Sequence, residues 1–301
     1  MKQFLIKLSL FFALFFIVDK AFILLRNSSP EREADKRLEQ LLLGEMNHDI
    51  VVLGSSKSAR GILAGEIEKM TGKSTYNLSY PGGDICFQEF ILATLLEKNE
   101  KPETVILSID EIVQFKDQVS LNFRMDRMYP LVKYPEIREE LFRLGEKNEL
   151  LSDLFILHQL SIYNFDLRQK HFSRLDSISS NGSMPISFQK QALDWDLKDD
   201  LKPYKIENEV EGKLQCFLDL QNSCLANDIE LIIVFIPTFK KFNELFYQRF
   251  LELVDPKVRV FRYEAADNPF ENKNYYHDLT HLNQKGAKLY TELLTEEVLL
   301  E

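Results

Sequence analysis

Short apolar runs and longer amphipathic ones alternate through most of the chain. Ile50 to Leu53, Thr104 to Ile109, Leu231 to Ile236 and Val258 to Tyr263 are brief and mostly apolar. Such runs predict strands buried on both faces, and Ser74 to Leu78 is a weaker fifth. Between them apolar residues recur at helical spacing over Ile62 to Met70, Phe87 to Glu97 and Val210 to Leu225, and Asn283 to Leu300 follows the last strand. Strand and helix in turn predict an α/β class: a three-layer domain with a parallel sheet of about five strands covered by helices on both faces.

Residues 112–208 interrupt the alternation. Helical stretches over Tyr134 to Leu144 and Leu150 to Leu167 and a loop-like Ser177 to Pro185 read as a helical insertion leaving the end of the third strand. In a wound sheet that point borders the ligand crevice, so the insertion is expected either to select substrate or to serve as a subunit contact or edge cover. Within it, Tyr129, Tyr134 and Trp195 are expected in the core rather than stacked on sugar rings. Asp194, Asp196, Asp199 and Asp200 are expected on a solvated surface rather than around a cation.

The first segment has a different pattern. Phe4 to Leu25 is dominated by Leu, Phe and Ile and, at about 1.5 Å per residue, is just long enough for a hydrocarbon core of roughly 30 Å. Lys7, Asp19 and Lys20 confine the uncharged part to Leu8 to Val18, the length of a signal-peptide core. No small-x-small cleavage site follows, because Ala21 leads into Phe22, Ile23 and Leu24. An uncleaved signal anchor over residues 1–26 is therefore expected, ahead of a removed peptide or a buried helix of a soluble protein. Lys2 and Lys7 place the N-terminus in the cytoplasm, with a bias that Lys20 and Arg26 make slight. Residues 27–48, with Leu38, Leu41, Leu42 and Leu43, read as a juxtamembrane linker running into a helix, and 49–301 as the globular domain.

Composition narrows the function. A net charge of -10 argues against binding a phosphate backbone, so no nucleic-acid partner is expected. Cys86, Cys216 and Cys224 form no CxxC pair or Cys/His cluster, so neither a metal nor another cofactor is expected. One pair could bridge outside the cytoplasm, leaving the third thiol free.

Two runs carry chemistry. Asp49 to Leu53 is a strand that stops at Gly54 and hands over to Ser55 and Ser56, placing Ser56 at the carboxyl edge of the sheet. There a hydroxyl can attack a carbonyl beside helix-start amides, although the same pattern also caps helices or holds phosphates. The second run, Tyr275 to Gly286, contains Asp278 and His281; in a helical turn their spacing puts the carboxylate beside the imidazole it would orient. Asn283 is a natural cap for the next helix, and His277 competes as the functional histidine. Read alone, each run also fits an ordinary helix start.

Together the runs resemble the SGNH/GDSL hydrolase superfamily. Gly54-Ser55-Ser56 is similar to that family's Gly-x-Ser block, and Asp278-Leu-Thr-His281 to its Asp-x-x-His block. Tyr76 to Gly83 stands where the family keeps its glycine block. The resemblance spans Asp49 to the end apart from the insertion, and implies a flavodoxin-like α/β/α fold with Ser56 as nucleophile, His281 as base and Asp278 as its orienting carboxylate. It further implies oxyanion donors from Ser56, Gly82 and Gly83. The anchored layout is similar to envelope proteins of alginate O-acetylation and D-alanylation. This implies a single-pass protein of the cytoplasmic membrane with its catalytic domain outside, acting as an esterase or O-acyltransferase on an envelope glycan or small ester. A membrane-bound O-acyltransferase is the partner such a layout suggests. The family's third block supplies an oxyanion Asn, whereas Val105 to Glu111 has none, offering only Ser108 and Asp110. A fold that kept its shape as a binding or assembly subunit is the alternative.

Overall fold

A computed structural model describes residues 1–117, 119–188, 203–264 and 267–300. Its first elements are α1 (Lys2–Ser28), α2 (Arg37–Leu42), β1 (Ile50–Leu53), α3 (Ser56–Gly61), α4 (Ala64–Thr71), β2 (Thr75–Asn77), α5 (Ile85–Lys98) and β3 (Thr104–Ser108). Five short helices follow: α6 (Met125–Met128), α7 (Pro135–Arg143), α8 (Glu149–Leu154), α9 (Ile156–Gln159) and α10 (Ile162–Phe165). The chain then continues through α11 (Glu211–Ala226), β4 (Glu230–Phe235), α12 (Glu244–Leu251), β5 (Arg259–Arg262) and α13 (Gln284–Leu294). These elements form two compact units, 1–43 with 124–171, and 44–123 with 172–301.

The second unit holds the sheet, in the order β2-β1-β3-β4-β5 with every pairing parallel. This is the flavodoxin-like order, and the five strands predicted from the apolar runs are those observed. Ile50 lies opposite both Thr75 and Thr104, so β1 is flanked by β2 on one side and β3 on the other. The connections after β1 and β3 therefore part at the carboxyl edge, which is where this fold opens a crevice.

All residues of β1 and β3 are buried, as a sheet covered on both faces requires. One core cluster combines Ile50, Val52, Ile106 and Ile232 with Ile62 and Tyr290. Another is aromatic: Phe115 meets Phe217 and Phe250 with ring centroids 5.6 and 6.4 Å apart, and all three rings are fully buried. Each such ring contributes roughly 1.5–3 kcal/mol on burial. Cys86 on α5 and Cys216 on α11 form a disulfide, and Cys224 is a buried free thiol.

In the first unit α1 runs for 27 residues, about 40 Å, and is long and apolar enough to cross a membrane. From Phe4 to Val18 its large apolar side chains are mostly exposed. Asp19 is only 2% exposed, because its two carboxylate oxygens accept the backbone N–H groups of Ile156 and Leu157, each at 2.9 Å. The helix predicted over Leu150 to Leu167 is consequently three pieces, broken at Phe155 and again at Leu160 and Ser161, where the backbone is extended. In the same unit Leu38, Leu41 and Leu42 are buried, as is Tyr129, while the Tyr134 hydroxyl donates to Glu39. Trp195 and the acidic residues Asp194, Asp196, Asp199 and Asp200 lie outside the described residues.

Candidate active site

The site starts where β1 ends. Gly54 has φ +150°, and a Cβ there would lie 2.2 Å from Ser58 Oγ and 3.0 Å from Ser108 Cβ. Only glycine fits without displacing its neighbours. Ser55 is buried and its hydroxyl accepts the Lys57 N–H, which makes it the cap of α3 and leaves Ser56 as the serine that can react. The Asn77 amide, at the end of β2, donates to the carbonyls of Ser58 and Ile62 at 2.9 Å and holds the C-terminal part of this short helix.

The other half comes from the loop before α13. A bridge between Tyr276 and Leu282 and a 2.8 Å bond from the His277 N–H to the His281 carbonyl close this loop. Asp278 and His281 sit in this bent loop, not in the helical turn their spacing suggested. Inside it the Asp278 carboxylate accepts the N–H groups of Thr280 and His281 and the Thr280 hydroxyl. Asn283 caps α13 by accepting from Lys285 and Gly286. Thr291 on α13 accepts the Leu63 N–H at 3.0 Å, holding α13 against the end of the α3 region.

These constraints bring together residues 225 positions apart. Ser56 Oγ lies 2.8 Å from His281 Nε2, and His281 Nδ1 lies 3.0 Å from each Asp278 oxygen. A carboxylate beside Nδ1 holds the proton there, leaving the Nε2 lone pair to accept the Ser56 hydroxyl proton. Burial pulls the Asp278 carboxyl upward, but hydrogen bonds from His281 and Thr280 outweigh it and hold the group well below the usual carboxylate range. His277 is buried and turned away, with Nδ1 2.8 Å from the Phe188 carbonyl.

The oxyanion side departs from the expectation. The Gly83 N–H donates to the Tyr80 carbonyl at 2.8 Å in a tight turn, so it is removed from the set of donors. The N–H groups of Ser56 and Gly82 have no acceptor among the described residues. The Gly82 loop is tied to the Gly54–Ser56 turn by a 3.0 Å bond from the Tyr80 N–H to the Gly54 carbonyl. Ser108 is fully buried, and its hydroxyl has no hydrogen-bond partner among the described residues. Asp110 is also buried and lies 3.4 Å from Lys57 Nζ, which is 3.8 Å from Glu111. An acid held by a lysine therefore occupies the region after β3 where a neutral amide donor was sought.

Three contributors escaped the sequence reading. Thr280 sits between the two recognised residues and bonds to both, at 2.9 Å to Asp278 and 3.1 Å to His281 Nδ1. Lys57 follows Ser56 directly, yet only the fold shows where its side chain ends. The returning leg of the insertion is the third: Met184 N–H donates to the Ala59 carbonyl at 2.6 Å and Gln284 N–H to Ile186 at 2.8 Å. Within this unit it is that irregular leg, not a helix, that borders α3 and the start of α13. A cavity of about 570 Å³ opens at the ends of β4 and β5, lined by Phe235, Phe239, Lys240, Phe242 and Glu111 among others. Its wall is joined to the Asp278 loop by the Phe239 N–H, which donates to the Leu279 carbonyl at 3.0 Å.

Searches against protein-family models, curated proteins and solved structures find no match for this chain.

Proposed function

We propose that the protein is a membrane-anchored, extracytoplasmic serine esterase or O-acyltransferase, similar to SGNH hydrolases, that forms an acyl-enzyme on Ser56. The Ser56–His281–Asp278 relay, at 2.8 and 3.0 Å, is the observation that carries this reading. Ser56 Oγ attacks the ester carbonyl while its proton passes to His281 Nε2, and the N–H groups of Ser56 and Gly82 receive the oxyanion. Collapse expels the alcohol, which takes the proton back from His281 and leaves an acyl ester on Ser56. Water then hydrolyses that ester, or a sugar hydroxyl accepts the acyl group, with His281 again moving the proton. The aromatic cavity at the ends of β4 and β5 includes neither Ser56 nor His281 in its lining, so the substrate class rests on the relay and the anchored layout and not on that cavity.

The Cys86–Cys216 disulfide supports an oxidising compartment, and α1 supports single-pass anchoring in the cytoplasmic membrane with the sheet domain outside. In the transferase form, a membrane-bound O-acyltransferase would deliver the acyl group.

Treatment of the full chain in detergent with a fluorophosphonate probe should label Ser56 stoichiometrically. S56A should take no label, and S56A and H281A should each lose ester cleavage by about 10⁴-fold or more. The rival reading, a non-catalytic binding or assembly subunit, is favoured by the lysine-bound Asp110 and sealed Ser108 in place of an oxyanion amide. Absence of labelling, together with ester cleavage by wild type that is no faster than the uncatalysed rate and is unchanged in both variants, would leave only that rival.

A further inference from the structure

The charged residues that interrupt α1 mark the place where the insertion is fastened to it. Asp19 caps α9 through Ile156 and Leu157, and Lys20 Nζ donates to the Leu154 carbonyl at 2.6 Å. One turn and more along, Arg26 donates to Gln159 Oε1 at 2.8 Å, and Arg32 reaches the carbonyls of Asn164 and Asp166. Rings support the same seam: Phe15 meets Phe155 at 5.9 Å and Phe22 meets Phe165 at 6.1 Å, both edge to face. The segment 149–167 thus lies along α1 and the turn after it, from about Phe15 to Arg32, beginning where the exposed apolar stretch Phe4 to Val18 ends.

That segment is itself apolar on its free side. Leu150, Leu154, Leu157, Ile162, Phe165 and Leu167 are between 40 and 80% exposed, although each is large and aliphatic or aromatic. Short helices with so much exposed apolar surface are unstable in water, and clusters of this kind mark an interaction surface. Their backbone groups are satisfied by Asp19 and Lys20 of α1 and by Arg32 just beyond it, while Arg26 of α1 holds the Gln159 side chain. The apolar surface is continuous with that of the helix proposed to span the bilayer.

We infer that residues 149–167 form an interfacial collar, seated in the headgroup and upper acyl region of the same leaflet from which α1 emerges. This rests on the reading of α1 as a membrane anchor. The collar adds six large apolar side chains to the anchor at the interface, where a short helix lying in plane buries its apolar face about 5–10 Å deep. It also gives Asp19 a role: a carboxylate near the end of a span is tolerated because two backbone N–H groups of the collar neutralise its need for water.

Depth-dependent quenching tests the collar in the full chain. The single Trp of the chain, Trp195, is replaced by Phe, and one new Trp is introduced as Leu14→Trp, Ile162→Trp or Leu167→Trp. Each protein is reconstituted in vesicles with phosphatidylcholine brominated either high or low on the acyl chain. The expected result is loss of emission from Ile162→Trp and Leu167→Trp with the shallow bromines and from Leu14→Trp with the deep ones. Quenching of Leu14→Trp alone would overturn the collar and leave the anchor standing. No quenching at any position would remove the anchor, and the collar with it. Unquenched collar positions in a protein that cross-links as a dimer would assign the surface to a second copy instead, which also overturns the inference.

Discussion

Asp19 in the unit of the N-terminal helix and Asp278 in the sheet unit make nearly the same bonds. Each carboxylate accepts two consecutive or near-consecutive backbone N–H groups, Asp19 those of Ile156 and Leu157, Asp278 those of Thr280 and His281. Asp19 is almost sealed and spends both oxygens on those two donors, together with its neighbour Lys20. Asp278 keeps its side chain 27% exposed, and both of its oxygens also face an imidazole nitrogen. The first therefore fastens two segments, whereas the second lies against an imidazole, a group able to carry a proton. Backbone capping alone does not distinguish a structural acid from a functional one; what each acid touches beyond the backbone does.

Exchanging the same atom in both places separates the two roles. Asp278→Asn can still accept the loop N–H groups, but its amide NH₂ would meet His281 Nδ1 as a donor and impose the wrong tautomer. Cleavage of p-nitrophenyl acetate should fall by about 10⁴-fold in protein that remains folded, far more than the accompanying loss of stability can account for. A loss below tenfold would put Asp278 in the same structural class as Asp19. Asp19→Ala should do the reverse. Removing a carboxylate that satisfies two buried donors should destabilise the unit of the N-terminal helix by about 1–3 kcal/mol, seen as faster hydrogen exchange over 152–160, while detergent-solubilised activity stays unchanged. A variant with undisturbed exchange there would show that the cap contributes little.

The sheet was legible because strands buried on both faces need continuous Val and Ile runs, as Ile50 to Leu53 and Leu231 to Phe235 show. Ser56, Asp278 and His281 were legible because two short patterns fall where a parallel sheet brings distant segments to one edge. Gly83 was misplaced as an oxyanion donor because a turn bond to Tyr80, three residues earlier, leaves no trace in residue type. The three-piece break in Leu150 to Leu167 was hidden for a related reason. Its periodicity is helical throughout, and the interruption at Phe155 is set by Asp19, more than a hundred residues earlier. Lys57 illustrates the same limit, since its position next to Ser56 is local but its ion pairs with Asp110 and Glu111 are not.

The acid side of the stability profile sharpens the contrast further. Asp278 is held below its ordinary range, so its contribution is complete above about pH 4 and is lost as pH falls through the depressed value. In urea titrations, the gap between wild type and Asp278→Asn should be constant above that pH and narrow below it. A gap that instead widened in acid would mean that burial, not hydrogen bonding, governs this group.

Glu111 supplies the opposite sign and the smallest expected effect. Burial pushes its carboxyl up, Lys57 opposes this, and neighbouring Asp110 adds to it, on a backbone with the left-handed φ of +43°. A raised acid loses stability as pH rises above its unfolded value of about 4.5, because ionisation is then easier in the unfolded chain. Glu111→Gln removes that ionisation, so the variant should gain up to about 1 kcal/mol over wild type at pH 7, with the gain vanishing below about pH 4. Should Glu111→Gln prove less stable at pH 7, the attraction of Lys57 would outweigh burial, and Glu111 would join Asp278 among the acids stabilised by their partners.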